Sequence, residues 1–320
     1  MAEIDWRPAA TRDTLELRAG LLREIREFFA VRDVLEVETP ALSGESIPDP
    51  ALDSIAVSAA SLPGGQGYLR TSPEFEMKRL VAAGVGDIFQ VCRVFRDNES
   101  GRWHEPEFTL IEWYRLGWDD QRLMDEVDEL LTQLLTPHRA PAGALRLRYR
   151  EVIEAVLGVA ADAGDDAVRN AILNAGVDVP ADTTGDALLD LALSEVVSPG
   201  FDPQAFTFVC DYPETQAALA RIKPGEPPVA ARFELFFGGI ELANGFAELT
   251  DAAEQRARFE SELERRREAG RHAPALDERF LGALAAGLPD CAGVAIGFDR
   301  VVALAAGLDN IAEAIAFPHR

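Results

Sequence analysis

The segment Val94–Arg115, VFRDNESGRWHEPEFTLIEWYR, decides the fold prediction. Arg96 follows a short apolar segment, a polar turn carries Arg102 and His104, and an apolar segment then returns. Two extended segments joined by a turn predict a β-hairpin. Cationic side chains at the strand end and in the turn of this hairpin are suited to an anionic ligand.

The returning segment has two different faces, because side chains alternate along a strand. One face carries Phe108, Leu110, Glu112 and Tyr114, and the other carries Thr109, Ile111 and Trp113. A core face would be uniformly apolar, so aromatic rings beside a carboxylate and a phenol predict a floor for a flat base and a cationic group. A half-exposed strand with a solvated Glu112 explains the same pattern, and this segment alone leaves both interpretations open.

The length and composition favour one large domain. The chain has 320 residues, 48% of them hydrophobic, and no linker, repeat or low-complexity tract divides it. It contains no run of about 18 apolar residues and no apolar leader, so neither membrane insertion nor secretion is expected. Cys92, Cys210 and Cys291 are isolated and lack metal-ligand spacing, which predicts buried thiols in a reducing cytoplasm.

The charge balance disfavours a nucleic-acid partner. With 31 lysines and arginines against 55 aspartates and glutamates, the formal net charge is −24, which repels polyanions. The most basic segment contains Arg265, Arg266, Arg267, Arg271 and His272. Because glutamates at 262, 264 and 268 alternate with these residues, the pattern predicts a solvated helix face.

Apolar periodicity and turn residues predict most of the remaining elements. They indicate helices over 12–30, 75–83 and 121–135, strands over 34–40 and 206–213, and several helices in an insertion over about 145–200. Residues 43–67 are rich in Pro, Gly and Ser, and predict a loop broken by one short strand at 54–57. Neither the loop nor the insertion contains a residue cluster with an evident chemical role.

A second informative segment is RFELFFGGIELANGFAELTD, residues 232–251. Gly238-Gly239 between apolar segments predicts a two-residue hairpin turn, in which Glu234 faces Ala243. Glu234 and Glu241 then lie diagonally on one face, with backbones roughly 7–8 Å apart. Two carboxylates this close require a cation, and magnesium carrying nucleotide phosphates is suitable. A solvated edge hairpin is the alternative interpretation.

Two further sets of polar residues are candidates for ligand binding. Asn244 and Glu248 are four residues apart on either side of Gly245, so both are expected to point the same way from a helical turn. Thr71–Glu74, TSPE, precedes a predicted helix with proline and glutamate in its first turn. As a helix start, this second set requires no ligand.

The third informative segment, CAGVAIGFDR at 291–300, is predicted to run from a strand into a helix. Its small residues Gly293, Ala295 and Gly297 allow a ligand to approach the backbone, and a helix start favours an anion. By itself, a glycine-rich junction of this kind is weak evidence for a site.

Taken together, these segments resemble a known family. Phe95-Arg96, RWHEPEFT at 102–109 and EWY at 112–114 resemble motif 2 of class II aminoacyl-tRNA synthetases in its lysyl form. The whole chain resembles the bacterial elongation factor P lysyltransferases, which are paralogues of the lysyl-tRNA synthetase catalytic core. The resemblance implies motif 1 at about 12–40, motif 2 at about 88–118 and motif 3 at about 291–307.

The fold implied by this resemblance is of the α+β class. It has an antiparallel sheet flanked by helices and forms a single catalytic domain spanning 1–320. Motif 1 forms the dimer interface in class II synthetases, so a homodimer is expected. An anticodon-binding domain is not expected, because motif 1 begins within about thirty residues of Met1, too few for a folded module.

The resemblance also implies the residues of the site. ATP would contact Arg96, Asn98, His104, Phe108, Glu234, Glu241 and Arg300. Among these, Arg96 and Arg300 would be catalytic, and Glu234 and Glu241 would ligate Mg²⁺. The amino-acid substrate would contact Glu74, Glu112, Tyr114, Asn244, Glu248, Ala295 and Gly297.

Individual roles follow from the same resemblance. Phe108 would stack on adenine, and His104 and Arg300 would hold the leaving pyrophosphate. Glu74 would hold the amino group near the substrate carboxylate, while Glu112, Tyr114 and Glu248 would hold the distal ammonium. Ala295 stands where tRNA synthetases of this family have glycine. Its methyl group indicates (R)-β-lysine, which is the substrate that the elongation factor P lysyltransferases prefer.

Motif 2 departs from the family pattern, which places glutamate two residues after the arginine. Here the sequence is Arg96-Asp97-Asn98-Glu99, so the glutamate comes one residue late. A one-residue slip points a side chain to the other face of a strand. Either Asn98 substitutes as an uncharged partner, or a bulge returns Glu99 to the site.

The expected function is therefore that of a cytoplasmic, ATP-dependent ligase. It would activate (R)-β-lysine or lysine as an acyl-adenylate and transfer it to a lysine side chain of elongation factor P rather than to tRNA. An asparagine synthetase-like activity is one alternative, but its substrate's second carboxylate would be repelled by Glu112 and Glu248. A non-catalytic regulatory paralogue is another, although Arg96, Arg300 and the glutamate pair are all present.

Overall fold

The computed structural model describes residues 6–319. Its helices are α1 (Arg12–Ala30), α2 (Glu74–Ala82), α3 (Asp120–Arg139), α4 (Tyr149–Leu157), α5 (Asp165–Asn174), α6 (Asp186–Ala192), α7 (Ala252–Glu268), α8 (Glu278–Gly287) and α9 (Phe298–Ala306). Its strands are β1 (Leu35–Glu36), β2 (Leu42–Ser43), β3 (Ala56–Ser58), β4 (Gln66–Leu69), β5 (Ile88–Phe95), β6 (Glu107–Leu116), β7 (Ala144–Arg148), β8 (Phe206–Pro213), β9 (Ile222–Lys223), β10 (Val229–Phe237), β11 (Ile240–Ala247) and β12 (Cys291–Gly297). In this part of the chain, every helix is too short or too polar to span a lipid bilayer.

A large sheet organises the fold. Its strand order is β1-β5-β6-β12-β11-β10-β8-β7, and the short strand β9 also pairs with β10. The five pairs in the middle are antiparallel, and the pairs β1–β5 and β7–β8 at the two edges are parallel. The predicted antiparallel sheet with flanking helices is thus confirmed, with parallel pairing added at its edges. A separate three-stranded sheet, β2-β4-β3, lies outside it.

The two faces of the large sheet are covered differently. Helices α1, α3 and α9 cover one face and form the main core with Ile111 and Trp113 of β6 and with Val294 and Ile296 of β12. On the other face, α2, α7 and α8 form one smaller apolar cluster, and α4 to α6 form another. The alternation predicted for β6 is confirmed, because Ile111 and Trp113 reach the core and Leu110, Glu112 and Tyr114 line a cavity.

A buried aspartate connects α1, β6 and α9. Arg18 on α1 donates to Asp299 in the first turn of α9 at 2.5 Å, and the backbone N–H of Thr109 donates to the same carboxylate at 2.6 Å. Arg18 also donates to the Thr109 hydroxyl at 2.8 Å. Segments nearly 300 residues apart in sequence are therefore fixed against one another by charge-assisted hydrogen bonds.

Several predicted elements differ from those observed. The helix predicted over 12–30 and the strand over 206–213 are confirmed as α1 and β8. The strand predicted over 34–40 shortens to Leu35–Glu36, because it pairs with β5 alone at the edge of the sheet. Residues 43–67 contribute to all three strands of the small sheet, and the insertion begins with β7 in addition to its helices.

Gly245 of β11 marks a tightly packed position in the sheet. A Cβ atom added to Gly245 would lie 2.6 Å from Cζ of Phe233 and 2.9 Å from Cβ of Val294. Gly282 on α8 has no atom within 4 Å of the corresponding point. The two glycines therefore form a matched pair for testing the packing.

We expect Gly245→Ala to lower the free energy of unfolding by about 1–3 kcal/mol, because the methyl group overpacks the core. Gly282→Ala should raise it by roughly 0.5–1 kcal/mol, since alanine is the better helix former. Urea unfolding of both variants provides the measurement. Equal stability of Gly245→Ala and the parent chain would contradict this packing.

Candidate active site

A cavity of about 900 Å³ opens on the sheet face opposite the main core. Strands β6, β10, β11 and β12 provide its floor, and the TSPE segment before α2 provides part of one wall. The remaining walls come from the loop 43–54, the insertion, the segment 215–219 and α7. Pockets of this size commonly enclose small-molecule ligands.

Glu112 lies at the centre of the acidic end of this cavity. The Tyr114 hydroxyl donates to its Oε1 at 2.8 Å, and the Ser72 hydroxyl donates to its Oε2 at 2.7 Å. Ser72 in turn accepts from the backbone N–H of Glu74 at 3.1 Å. Burial, reinforced by the charge of Glu74, raises the pKa of Glu112 to about 7. The carboxyl is therefore oriented by two hydroxyls and holds a proton easily near neutral pH.

Glu248 is fully buried behind this group and has an internal cation as its partner. The Nζ atom of Lys78 on α2 lies 2.5 Å from Oε2 of Glu248 and 2.6 Å from Oε1 of Glu74. Burial raises the pKa of Glu248 to about 8. Burial alone would lower the pKa of Lys78, but Glu248 and Glu74 together raise it above its usual value. One permanent ammonium thus lies among three carboxylates.

Lys78 was missed by sequence reasoning. The available signal was its position four residues after Glu74 at a helix start, which permits an ion pair on one face. The prediction that Glu248 contacts a substrate ammonium now has to accommodate Lys78, which already contacts one of its oxygens.

The small residues of β12 lie between the polar residues of its neighbours. Ala295 is opposite Glu112 on β6 and Asn244 on β11. Gly293 is opposite Tyr114, and a Cβ atom added there would lie 2.4 Å from Cε1 of Tyr114 and 2.5 Å from Oε1 of Glu248. Glycine at 293 is therefore required for these two side chains to occupy their positions.

Gly297 has a different environment from Gly293 and Ala295. It ends β12 and precedes α9, and an added Cβ would make only ordinary contact with Arg300 at 3.5 Å. Gly293 and Ala295 line the cavity, whereas Gly297 does not. Its predicted substrate contact is therefore not supported by its position.

The opposite end of the cavity is cationic. Arg96, His104 and Arg300 line it together, and Nη2 of Arg300 lies 3.0 Å from Nε2 of His104. Arg300 is oriented by backbone carbonyls, donating to Glu241 at 2.6 Å and to Trp103 at 3.1 Å. Partial desolvation and the neighbouring Arg300 lower the pKa of His104, which favours a neutral imidazole.

Arg102 and Phe108 of the motif 2 hairpin do not line the cavity. Arg102 points away from the cavity and donates to the backbone carbonyl of Asp309 at the surface. Phe108 packs against the small cluster of Cys92, Val94 and Leu110, and Cζ of Arg96 lies 5.0 Å from the centre of its ring. Stacking of adenine on Phe108 therefore stays a prediction.

The irregular motif 2 sequence has a structural explanation. Asn98 has a left-handed backbone with φ of 61°, and its side chain is exposed outside the cavity. The turn at Asn98 accommodates the one extra residue between Arg96 and Glu99. Oε1 of Glu99 therefore still lies 3.4 Å from Nη1 of Arg96. Of the two alternatives, the structure favours Glu99, and the assignment of Asn98 as an ATP-binding residue stays a prediction that its position outside the cavity lining does not support. Asparagine tolerates the left-handed conformation better than most residues do.

The hairpin that carries Glu234 and Glu241 has a shifted register. The predicted glycine turn is confirmed, but Glu234 pairs with Asn244 instead of Ala243 because a bulge interrupts the ladder. Both glutamates still line the cavity. Asn244 lies on the strand β11, so the helical turn expected there is wrong.

The two hairpin glutamates already have protein cations near them. Nη2 of Arg232 donates to Oε1 of Glu234 at 2.5 Å, and Nη1 of Arg300 lies 3.8 Å from Oε2 of Glu241. Burial is the main cause that raises the pKa of Glu234 to about 7. The inference that two close carboxylates demand a metal ion is therefore weakened, since arginines supply positive charge.

The cavity walls were missed by sequence reasoning. The basic segment of α7 is not only a solvated helix face, because Arg266 is 3% exposed and donates to the backbone carbonyls of Asp49 and Leu52. Arg266 and Arg271 both pair with Asp53. These arginines hold the loop that forms one wall. From the insertion, Asp186, Asp190 and Ser194 line another wall.

Comparison with known proteins agrees with this architecture. The family model described as tRNA synthetases class II (D, K and N) matches residues 2–320, and the chain belongs to this family. Membership of this family implies the use of ATP.

Similarity to individual proteins is more informative than the match to the family model. The chain is 45% identical to the elongation factor P--(R)-beta-lysine ligase of Vibrio cholerae serotype O1, covering 99% of each chain. It is also 45% identical to the proteins of the same name from Vibrio atlanticus and Salmonella gallinarum, covering 98% of this chain and 98% and 97% of theirs.

Glu112 makes stability depend on pH in a defined direction. Its pKa is about 7 in the folded protein against 4.5 ordinarily, so the folded state holds this proton more tightly than the unfolded chain does. Its contribution to stability is therefore largest at acidic pH and decreases as the pH rises through that interval.

We expect Glu112→Gln to lose less stability than the parent chain between pH 5.5 and pH 8, because glutamine cannot ionise. Urea unfolding at the two pH values measures the difference. Parallel losses in both proteins would show that Glu112 carries no raised pKa.

Proposed function

We propose that this protein is an ATP-dependent ligase that activates (R)-β-lysine as an acyl-adenylate and transfers it to a lysine side chain of elongation factor P. The main support is a single cavity with an acidic end around Glu112 and a cationic end around Arg96 and Arg300. A substrate with ammonium groups and one carboxylate complements the acidic end, and a triphosphate complements the cationic end.

The charge of the acidic end matches a diamino acid. Glu74, Glu112 and Glu248 carry three negative charges when ionised, and Lys78 neutralises one of them. The remaining two balance the two ammonium groups of lysine or β-lysine. Glu74, which is the more exposed of the carboxylates, holds the ammonium nearer the substrate carboxylate, and Glu112 with Tyr114 holds the distal one.

The first chemical step is adenylate formation. A substrate carboxylate oxygen attacks the α-phosphorus of ATP, the bond from that phosphorus to the bridging oxygen breaks, and pyrophosphate leaves. Arg96, supported by Glu99, stabilises the charge that develops on the α-phosphate, while His104 and Arg300 receive the pyrophosphate.

The second step forms an amide bond. The acceptor amine attacks the carbonyl carbon of the adenylate, AMP leaves with the bonding electron pair of its oxygen, and the amine loses a proton. No protein nucleophile is needed in either step.

Glu234 and Glu241 would hold Mg²⁺ when ATP is bound. Both line the cavity beside the cationic end, and hard carboxylate oxygens suit this ion. The metal would neutralise phosphate charge. Arg232 and Arg300 contact the same carboxylates, so Mg²⁺ would share these oxygens with protein cations.

The acceptor in this proposal is a protein and not tRNA. The net charge of −24 opposes long-range attraction of a polyanion, and Arg266 and Arg271 of the basic segment are committed to the loop 49–53. The relatives are named as ligases of elongation factor P.

Two further features belong to the same proposal. We place the protein in the cytoplasm, which agrees with three free, buried cysteines. We also propose a homodimer through motif 1, because four exposed large apolar residues occur in or beside it, namely Leu15, Val31, Leu35 and Leu42.

The decisive test offers both acceptors to the enzyme. Purified protein is incubated with ATP, Mg²⁺ and labelled (R)-β-lysine, together with either elongation factor P or bulk tRNA. Label on a lysine of the factor is expected. Label on tRNA alone would contradict the proposal, and label on neither with adenylate still formed would indicate another acceptor.

Glu241→Gln tests the metal assignment. We expect adenylate formation to fall by at least about 100-fold, because the neutral side chain binds Mg²⁺ poorly. The melting temperature should stay nearly constant, since Glu241 is partly exposed. Amino-acid-dependent exchange of pyrophosphate into ATP measures the effect, and unchanged exchange would refute the assignment.

Ala295→Gly tests how the floor selects the substrate. The alanine methyl group lies between Glu112 and Asn244, so its removal creates space beside the bound amino acid. We expect discrimination between β-lysine and α-lysine to shift toward α-lysine by about 1–3 kcal/mol. The ratio of kcat/KM for the two substrates decides the question, and an unchanged ratio would mean that the methyl group does not contact the substrate.

A further inference from the structure

Lys78 has a position that the proposed mechanism does not use. Its side chain is 1% exposed on α2 and does not line the cavity, yet its ammonium contacts Glu248 at 2.5 Å and Glu74 at 2.6 Å. Two carboxylates from segments 174 residues apart therefore share one cation. Such an arrangement fixes both acidic side chains relative to each other.

The sequence uses lysine very sparingly. Of the 31 lysines and arginines, only Lys78 and Lys223 are lysines. The site of Lys78 is enclosed, and its ammonium lies 5.9 Å from the centre of the Phe280 ring. A compact ammonium fits between two carboxylates here, whereas the planar, larger guanidinium of arginine requires more space.

Glu248 retains one unused oxygen. Its Oε2 forms the ion pair with Lys78 at 2.5 Å and its Oε1 lies on the side of Gly293, while neither oxygen accepts a hydrogen bond of regular geometry from the described residues. The Oε1 atom lies 2.5 Å from the point where a Cβ of Gly293 would be, and Gly293 lines the cavity. Glu248 does not itself line the cavity, but this fully buried oxygen lies directly behind Gly293, which does.

We propose that Lys78 is a positioning residue. It holds Glu248 through Oε2 so that Oε1 stays available to the distal ammonium of the substrate. This inference rests on the proposed function, because it assumes an amino acid with two ammonium groups.

A purely structural role makes a different prediction. If Lys78 only neutralises buried charge, its loss would lower stability, but the folded fraction would bind substrate normally. If Lys78 positions Glu248, its loss would raise KM for the amino acid while KM for ATP stays constant. Selectivity for the distal ammonium would fall as well.

The first variant is Lys78→Met, which preserves length and removes the charge. Pyrophosphate exchange is measured with (R)-β-lysine, lysine and norleucine, which lacks the distal amine. We expect KM for the two diamino acids to rise on the order of 10- to 100-fold, as is typical for loss of a charge-assisted contact. The preference for lysine over norleucine should fall by a similar factor.

Lys223→Met is the matched control. Lys223 also pairs with two carboxylates, Asp120 and Asp211, but it does not line the cavity or contact the acidic end. Its replacement should leave both KM values and the selectivity for lysine unchanged.

A double variant removes the risk that Lys78→Met fails to fold. Lys78→Met with Glu248→Gln leaves no unpaired buried charge at this pair, so a melting temperature near that of Glu248→Gln is expected. If the two residues act as a unit, the KM values of Glu248→Gln and the double variant should agree within about threefold.

Four outcomes separate the possibilities. An unchanged KM in folded Lys78→Met, or a double variant that binds substrate like the parent chain, would overturn the positioning role. Additive effects of the two substitutions would also overturn it, because Lys78 would then act independently of Glu248. Failure of the parent chain to activate either diamino acid would instead refute the proposed function.

Discussion

The structure depends on placing three carboxylates together away from water. Ionised carboxyl groups lose solvation when buried, and like charges close together repel each other. The ammonium of Lys78 and the hydroxyls of Ser72 and Tyr114 partly offset this cost. Burial also raises the pKa of Glu112 to about 7 and that of Glu248 to about 8. The remaining unbalanced charge favours a cationic ligand, so the same feature that destabilises the empty protein supplies binding energy.

The sheet brings this acidic end and the cationic end into one cavity. Strand β12 lies between β6 and β11, so Ala295 has Glu112 on one side and Asn244 on the other. The next segment after β12 carries Arg300 to the other end of the cavity. Helix α9 is held by the pair of Arg18 and Asp299, which connects the position of Arg300 to helix α1. The distance between the two ends of the site is therefore fixed by backbone pairing and one buried ion pair.

Local features of the fold could be predicted from the sequence, whereas features that depend on distant contacts could not. Alternation along β6 and the glycine turn at 238–239 were predictable, because both follow from short-range geometry. The bulge that pairs Glu234 with Asn244, and the left-handed turn that returns Glu99 to Arg96, depend on the whole sheet and could not be read from spacing. Lys78 and Arg266 looked like ordinary helix residues, since Glu248, the second partner of Lys78, is 170 residues away and Asp49, a partner of Arg266, is 217 residues away.

The acidic end, in which Glu112 and Glu248 have raised pKa values, is expected to release protons to the solvent when a substrate with two ammonium groups binds. Calorimetric titration of (R)-β-lysine at pH 7, in two buffers of different ionisation enthalpy and without ATP, counts those protons. The raised pKa values of Glu112 and Glu248 predict net release of about one proton or more. Binding that releases no proton, or that takes protons up, would contradict the account.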